Sequence, residues 1–231
     1  HDALPIYIGG RYSILSEVGM VPAYIMGLSI KKLRDNLLIH FNKKKNQYLI
    51  NSISTMSQIY SSKKISSIIF LNYSSELNSF VNWCQQLIAE SLGKKNKGLM
   101  PVLSSAPKDH HSLLQLYLEG PKDKIFYIIS SVPEKEIVIK RNIFESSFDY
   151  LKNKKLSKIK LAQRNAFITI LKRKKIPFRE VIVNKASEQT IGELFSYFMI
   201  EVGLIAELIG VNAFNQPAVE DVKSLTKKFL R

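Results

Sequence analysis

Four short runs, each read as a strand, set the plan of this chain: Ile65 to Tyr73, Leu99 to Ser104, Lys124 to Ser130 and Phe178 to Asn184. The first is a short β-rich apolar run, the signature of a buried strand. Between them the spacing turns helical. From about Ser75 to Ser91, the residues Leu77, Phe80, Val81, Cys84, Leu87 and Ile88 fall on one stripe. Ser74 or Ser75 can cap its start, and Gly93 is expected to end it in a left-handed turn. Further helices are expected over about His110 to Leu118, near Ser157 to Lys174, and over Gly192 to Val211, the last long and mostly buried. This alternation is the rhythm of an α/β fold, a doubly wound, mostly parallel sheet flanked by helices in three layers. Ligands of such sheets sit beyond the carboxyl ends of the strands, which singles out the loops after Tyr73, Ser104 and Ser130.

Residues 12 to 60 read mainly as helices. Ile14, Leu15, Val18 and Met20 begin one segment, and Ile50, Ile53, Met56 and Ile59 are spaced as a helical stripe in another, with Lys43-Lys44-Lys45 on an exposed turn between them. The expected organisation is a helical lead over 1–60 and a sheet domain with C-terminal helices over 61–231.

A chain of 231 residues buries a sizeable core without disulfides or metals. Its single cysteine, Cys84, excludes an internal disulfide and gives no sign of an oxidising compartment, so a cytoplasmic location is expected. The greasiest stretch, Phe198 to Val211, is broken by Glu201 and Glu207 and falls far short of the roughly 20 apolar residues of a membrane span. The chain begins with His1 rather than Met, and no secretory pattern follows, which reads as an internal start, a tag remnant or a fragment. The net charge of +15 comes from 34 basic residues, 27 of them Lys. Nucleic-acid readers favour Arg forks and interleaved aromatics, whereas only seven of the basic residues are Arg and no aromatic is interleaved within Lys152 to Lys155 or Lys172 to Lys175, so a solvated lysine surface is the preferred reading.

The chemistry is narrowed by what fails. Gly9-Gly10 is too short for a phosphate cradle, and of four His only His110 and His111 are close together, on adjacent positions that point apart. No metal or cofactor is expected. Cys84 lies on the apolar stripe of its helix and reads as core. Polar residues collect where elements end: Gln86 and Glu90 one turn apart, the loop Pro107 to Ser112, and Phe214 to Lys223. A carboxylate, an imidazole and an ammonium that converge could do acid–base work on a carbonyl compound. Taken singly, each has an ordinary explanation as a solvated helix end, a helix start and one lysine of many.

Three segments taken together resemble one family, in order along the chain. Gly9-Gly10-Arg11-Tyr12-Ser13, with Ser16 and Gly19 beyond, resembles the first signature of glucose-6-phosphate isomerases. Trp83 to Lys94, ending Glu90-Ser91-Leu92-Gly93-Lys94, is similar to that family's Gln-rich helix, and His111-Ser112-Leu113-Leu114-Gln115-Leu116 continues the likeness. Phe214-Asn215-Gln216-Pro217-Ala218-Val219-Glu220-Asp221-Val222-Lys223 resembles the second signature.

The resemblance implies the C-terminal sugar isomerase domain of an enzyme of glycolysis and gluconeogenesis. Such enzymes interconvert glucose 6-phosphate and fructose 6-phosphate through a cis-enediol, without metal or redox cofactor. It makes Glu90 the base that moves the proton between C2 and C1, a task that suits a partly desolvated carboxylate. His111 and Lys223 would assist ring opening, Arg11 would stabilise charge developing on the enediolate, and Gln86 and Gln216 would hold sugar hydroxyls or phosphate. It also implies a homodimer, with His111 donated by the neighbouring subunit. The departures are Asn215 where Asp is usual, Ile6 where a small or polar residue is preferred, and the family's N-terminal domain, with its Ser/Thr-rich phosphate loops, absent from this stretch. Without that domain the chain is expected to be inactive or feeble alone, because phosphate binding supplies orienting energy. The rival expectation is a non-catalytic sugar-phosphate-binding or dimerisation module.

Overall fold

The computed structural model describes residues 9–42, 46–132, 136–139 and 146–231, so the lysine run at 43–45 and Ile6 lie outside it. In chain order the helices are α1 (Glu17–Ile25), α2 (Ile30–Arg34), α3 (Gln47–Ser62), α4 (Asn78–Leu92) and α5 (Lys108–Ser112). They continue with α6 (Leu114–Glu119), α7 (Leu156–Lys174), α8 (Glu188–Leu208) and α9 (Pro217–Phe229). The strands are β1 (Ser67–Asn72), β2 (Met100–Ser105), β3 (Lys124–Ser131) and β4 (Phe178–Val183). Two compact units result. One comprises His1–Lys64, Trp83–Met100 and Ser187–Arg231, the other Ile65–Asn82 and Pro101–Ala186.

The second unit holds the sheet, in the order β2-β1-β3-β4. β1 runs parallel to β3 with Ser67 opposite Lys124, and β3 parallel to β4 with Phe126 opposite Phe178. The chain moves outward from β1 to β2, then returns past β1 to β3 and β4, so it is wound both ways, as expected of a doubly wound α/β fold. Ile69, Leu71, Phe126 and Ile128 form one apolar face, packed with Tyr117 of α6 and Phe167, Ile168 and Leu171 of α7. The opposite-facing Ile68, Phe70, Ile125 and Tyr127 are buried too, which is why these strands read as continuous apolar runs. α7 ends where Lys175 turns left-handed, after a last turn of Lys172, Arg173 and Lys174 that complements the helix dipole.

The first unit is helical. α8 is its axis, capped by the Ser187 hydroxyl, which accepts from the Thr190 N–H, and packed against α2 and α3. Gly192 permits the α2 approach, because a Cβ there would stand 1.8 Å from the Leu33 carbonyl oxygen. Polar pairs hold the neighbours: Ser196 donates to the Leu37 carbonyl, and Ser52 donates to the buried Glu201 carboxylate at 2.6 Å.

Several local expectations shift. The buried stripe of α3 is Leu49, Ile53, Met56 and Tyr60, leaving Ile50 48% exposed. Steps of three residues drift around a 3.6-residue turn, whereas alternating steps of four and three keep to one side. Gly93 follows α4 but is not left-handed; that conformation falls to Lys95 and Asn96. The helix expected over His110 to Leu118 is two, α5 and α6, parted at Leu113, whose φ of −122° is not helical. Cys84 is fully buried, as its stripe implied. No helix among the described residues is long and apolar enough to cross a membrane.

Candidate active site

The C-terminal end of α4 gathers the first unit's polar residues. Glu90 stands in its last turn, half-buried, with Gln86 one turn earlier donating to Glu90 Oε1 at 2.9 Å. The other oxygen, Oε2, accepts from Arg11 Nη1 at 2.9 Å.

Arg11 sits in a short 3-10 turn, Gly10–Tyr12, and is only 1% exposed. Each of its three nitrogens finds acceptors. Nε donates to Ser91 Oγ at 2.9 Å, Nη1 also reaches Gln216 Oε1 at 3.2 Å, and Nη2 donates to the carbonyls of Ala213 at 2.5 Å and Asn215 at 3.2 Å. The planar fork thereby ties the end of α4 to the segment that leads into α9, a geometry no ammonium could reproduce. Because Asn215 meets Arg11 through its backbone carbonyl, its identity as Asn rather than Asp leaves that hydrogen bond intact. The indole of Trp83 donates to the Arg11 carbonyl at 2.9 Å, and the Tyr12 hydroxyl lies 3.0 Å from Ser91 Oγ. Burial pushes the Tyr12 phenol up, against the opposing pull of Ser91 and Arg11, so it stays protonated.

Three lysines brace the same region. Lys94 donates to the carbonyls of Ser91 and Asn212, Lys95 to Gly210, and Lys97 to Ile209. The Ser91 carbonyl lies in the last turn of α4 and those of Ile209, Gly210 and Asn212 follow the C-terminus of α8, both places where unpaired C=O groups favour cations. Burial, and then the charge of Arg11, bring Lys94 down to about 8, with Glu90 opposing. Glu90, Lys94, Asn212, Asn215 and Gln216 line a cavity of about 830 Å³.

Arg11, Glu90, Gln86 and Gln216 therefore form one hydrogen-bonded cluster. Lys223 is in the same unit but lies on the exposed α9, where it pairs with Glu220 at 2.8 Å and does not line the cavity. His111 belongs to the second unit. It is exposed on α5, while the adjacent His110 turns inward and takes a 2.6 Å hydrogen bond between its Nε2 and the Tyr73 hydroxyl. Ser91 and Lys94 stand within the Glu-Ser-x-Gly-Lys motif, but their part in the cluster carried no separate signal. The backbone carbonyls that receive Arg11 carry none at all.

Burial draws His110 below its usual value of 6.5, against the opposing charge of Asp109. The sign follows from linkage: the unfolded chain takes up this proton first, so the stability is fully present above pH 6.5 and is lost as pH falls from there through the folded value. Denaturant unfolding followed by tyrosine fluorescence is therefore expected to show a lower midpoint at about pH 5.5 than at about pH 7.5, with the difference abolished in His110→Gln. An unchanged midpoint would mean that His110 binds its proton equally well in the folded and the unfolded chain.

No family model matches the chain. Among curated proteins it is 32% identical to the glucose-6-phosphate isomerase of Methanocaldococcus jannaschii, over 99% of this chain and 58% of that protein. It is 33% identical to a probable glucose-6-phosphate isomerase of Methanococcus maripaludis, over 100% of this chain and 53% of the relative. Among solved structures, a hypothetical protein from Thermus thermophilus superposes with a TM-score of 0.88 at 27% identity, covering 98% of this chain and 56% of that one. The chain thus spans a little over half the length of the relatives it matches.

Proposed function

We propose that this chain, similar over nearly its whole length to about half of each of the glucose-6-phosphate isomerases it matches, supplies the acid–base machinery of an aldose–ketose isomerase. The substrates are glucose 6-phosphate and fructose 6-phosphate. One observation carries the reading: within the matched stretch, Glu90 is gripped at both oxygens, by Arg11 and Gln86, beside a cavity large enough for a sugar phosphate.

In this reading Glu90 takes the proton from C2 of the open-chain aldose. The C2–H electron pair forms the double bond of a cis-enediol while O1 gains a proton. Collapse returns the proton from Glu90 to C1 as O2 gives its own up and becomes the ketone. Held at both ends, the carboxylate cannot rotate away between the two transfers, and its orientation is fixed before substrate arrives. Arg11 adds a permanent charge 2.9 Å from the carboxylate, a fixed field for the negative charge that develops on the enediolate. Gln216, shared between Arg11 and the cavity, holds a sugar hydroxyl or the phosphate.

His111 protonates the ring oxygen during opening, and Lys223 assists once it exchanges Glu220 for substrate. The exposure of His111 suits its donation to the site of a neighbouring subunit in a homodimer working in the cytoplasm. The names of the relatives do not favour the rival reading of a non-catalytic module.

Glu90→Gln tests the assignment, since glutamine keeps the shape and one acceptor but cannot take the proton. In the protein at its native length, turnover of fructose 6-phosphate is expected to fall by about 10²–10⁴-fold with KM little changed. Retained turnover would remove Glu90 from the chemistry.

A further inference from the structure

α5 has five residues, too few to hold a helix by their own hydrogen bonds, yet the side chains flanking His111 are all fastened. Asp109 Oδ2 accepts from the Ser104 hydroxyl at 2.9 Å and the Ser105 N–H at 2.7 Å, both at the end of β2. Its Oδ1 accepts from the Ser112 hydroxyl at 3.1 Å. His110 is fixed by the Tyr73 hydroxyl just past β1, and its ring packs 5.6 Å from that of Tyr73 and 5.5 Å from that of Phe167 on α7. Burial raises the Tyr73 phenol and lowers the His110 imidazole, so the hydrogen bond joins two neutral groups. Of residues 109 to 112, only His111 has no side-chain hydrogen bond among the described residues.

We propose that Asp109, supported by the Tyr73–His110 pair, is a positioning residue that fixes the turn presenting His111. The clamp joins the ends of two adjacent parallel strands to one short turn, so the direction in which His111 leaves the unit is set by the sheet itself. Asp109 acts through its neighbour and touches no reacting atom. Hydrogen bonds from Ser105, Ser104 and Ser112 and the charge of Lys108 outweigh burial and hold its carboxyl below the usual range, which keeps it an acceptor at all three bonds. A misplacement of about 1 Å in a catalytic group can cost about 10²-fold, which is the scale on which such a clamp matters.

The proposal rests on the ring-opening reading of His111, and a double-mutant cycle separates the two. In the protein at native length, Asp109→Ala is expected to lower kcat by about 10- to 100-fold with KM little changed. In a His111→Gln background the same change is expected to cost almost nothing, because the group it positions is already gone. Ser112→Ala, which removes only the Oδ1 contact, should show the same coupling at smaller size and keeps the test open if Asp109→Ala folds poorly. An equal loss in both backgrounds would make Asp109 merely structural and overturn the proposal. Full activity of His111→Gln would instead overturn the role of His111, and the clamp's catalytic purpose with it.

Discussion

Arg11→Met is expected to destabilise the first unit by about 3–5 kcal/mol, the cost of removing one member of a buried, hydrogen-bonded ion pair. The residue it replaces is 1% exposed and serves the Glu90 carboxylate, the Ser91 hydroxyl, the Gln216 amide and the carbonyls of Ala213 and Asn215. Methionine fills much of the volume but satisfies none of these acceptors. Arg11→Lys keeps the charge and three donors on a single nitrogen, which cannot span the end of α4 and the 213–216 segment together, so it should recover less than half of the loss. Urea unfolding of both variants measures the effect. A midpoint unmoved in Arg11→Met would show that the fork does not join these segments in solution.

A second large effect is expected at Gly192, with a control on the same helix. A Cβ at Gly192 would lie 1.8 Å from the Leu33 carbonyl oxygen and 2.8 Å from its carbon. Both are backbone atoms, which cannot rotate aside as a side chain could, so α2 must move from α8. Overpacking of this kind costs about 1–3 kcal/mol or more, against about 1 kcal/mol of helix propensity gained by alanine over glycine. The clash wins because no small displacement relieves it. At Gly203, also in α8, a Cβ meets nothing within 4 Å, and there Gly→Ala is expected to be neutral or stabilising by about 0.4–1 kcal/mol. Thermal unfolding should therefore move in opposite directions for the two alanines. A shift in the same direction would contradict the close crossing of α2 and α8.

These two sites show what could and could not be read from residues alone. The central strands β1 and β3 were legible because they are buried on both faces and so carry long apolar runs, while the edge strands β2 and β4 are only partly buried; all four begin and end within about two residues of the runs that marked them. The stripe of α3 was misread because Ile50, Ile53, Met56 and Ile59 share residue type while their spacing drifts around the helix. Gly192 offered no signal, since its role depends on the carbonyl of Leu33, far away in sequence. The break at Leu113 is set by backbone angles that neither propensity nor pattern marks.

The candidate site was legible in part. Glu90, Gln86, Arg11 and Gln216 were all singled out through family resemblance, and the fold joins them by direct hydrogen bonds. Composition and spacing gave no reason for Arg11 to be buried, because its acceptors come from segments about 80 and 200 residues away and two of the five are backbone carbonyls. Lys223 stood out in a motif but lies exposed against Glu220, whereas Lys94 was an unremarked member of another motif and lines the cavity. The clamp around His111 escaped notice because Ser104 and Ser112, though close to Asp109 in sequence, carry no motif, and Tyr73 is brought to His110 only by the topology of the sheet.

The most direct test of the central claim, that Glu90 carries a substrate proton, follows carbon-bound hydrogen rather than overall turnover. Fructose 6-phosphate is incubated in D2O with the protein at its native length, and deuterium at C1 of the ketose and C2 of the aldose is followed by NMR. The account predicts deuterium at these positions, because the proton held by Glu90 exchanges with solvent in some turnovers. It also predicts loss of that signal in Glu90→Gln with the fold intact by circular dichroism. Deuterium entering at an unchanged rate in folded Glu90→Gln would assign the proton transfer to another group and contradict the account.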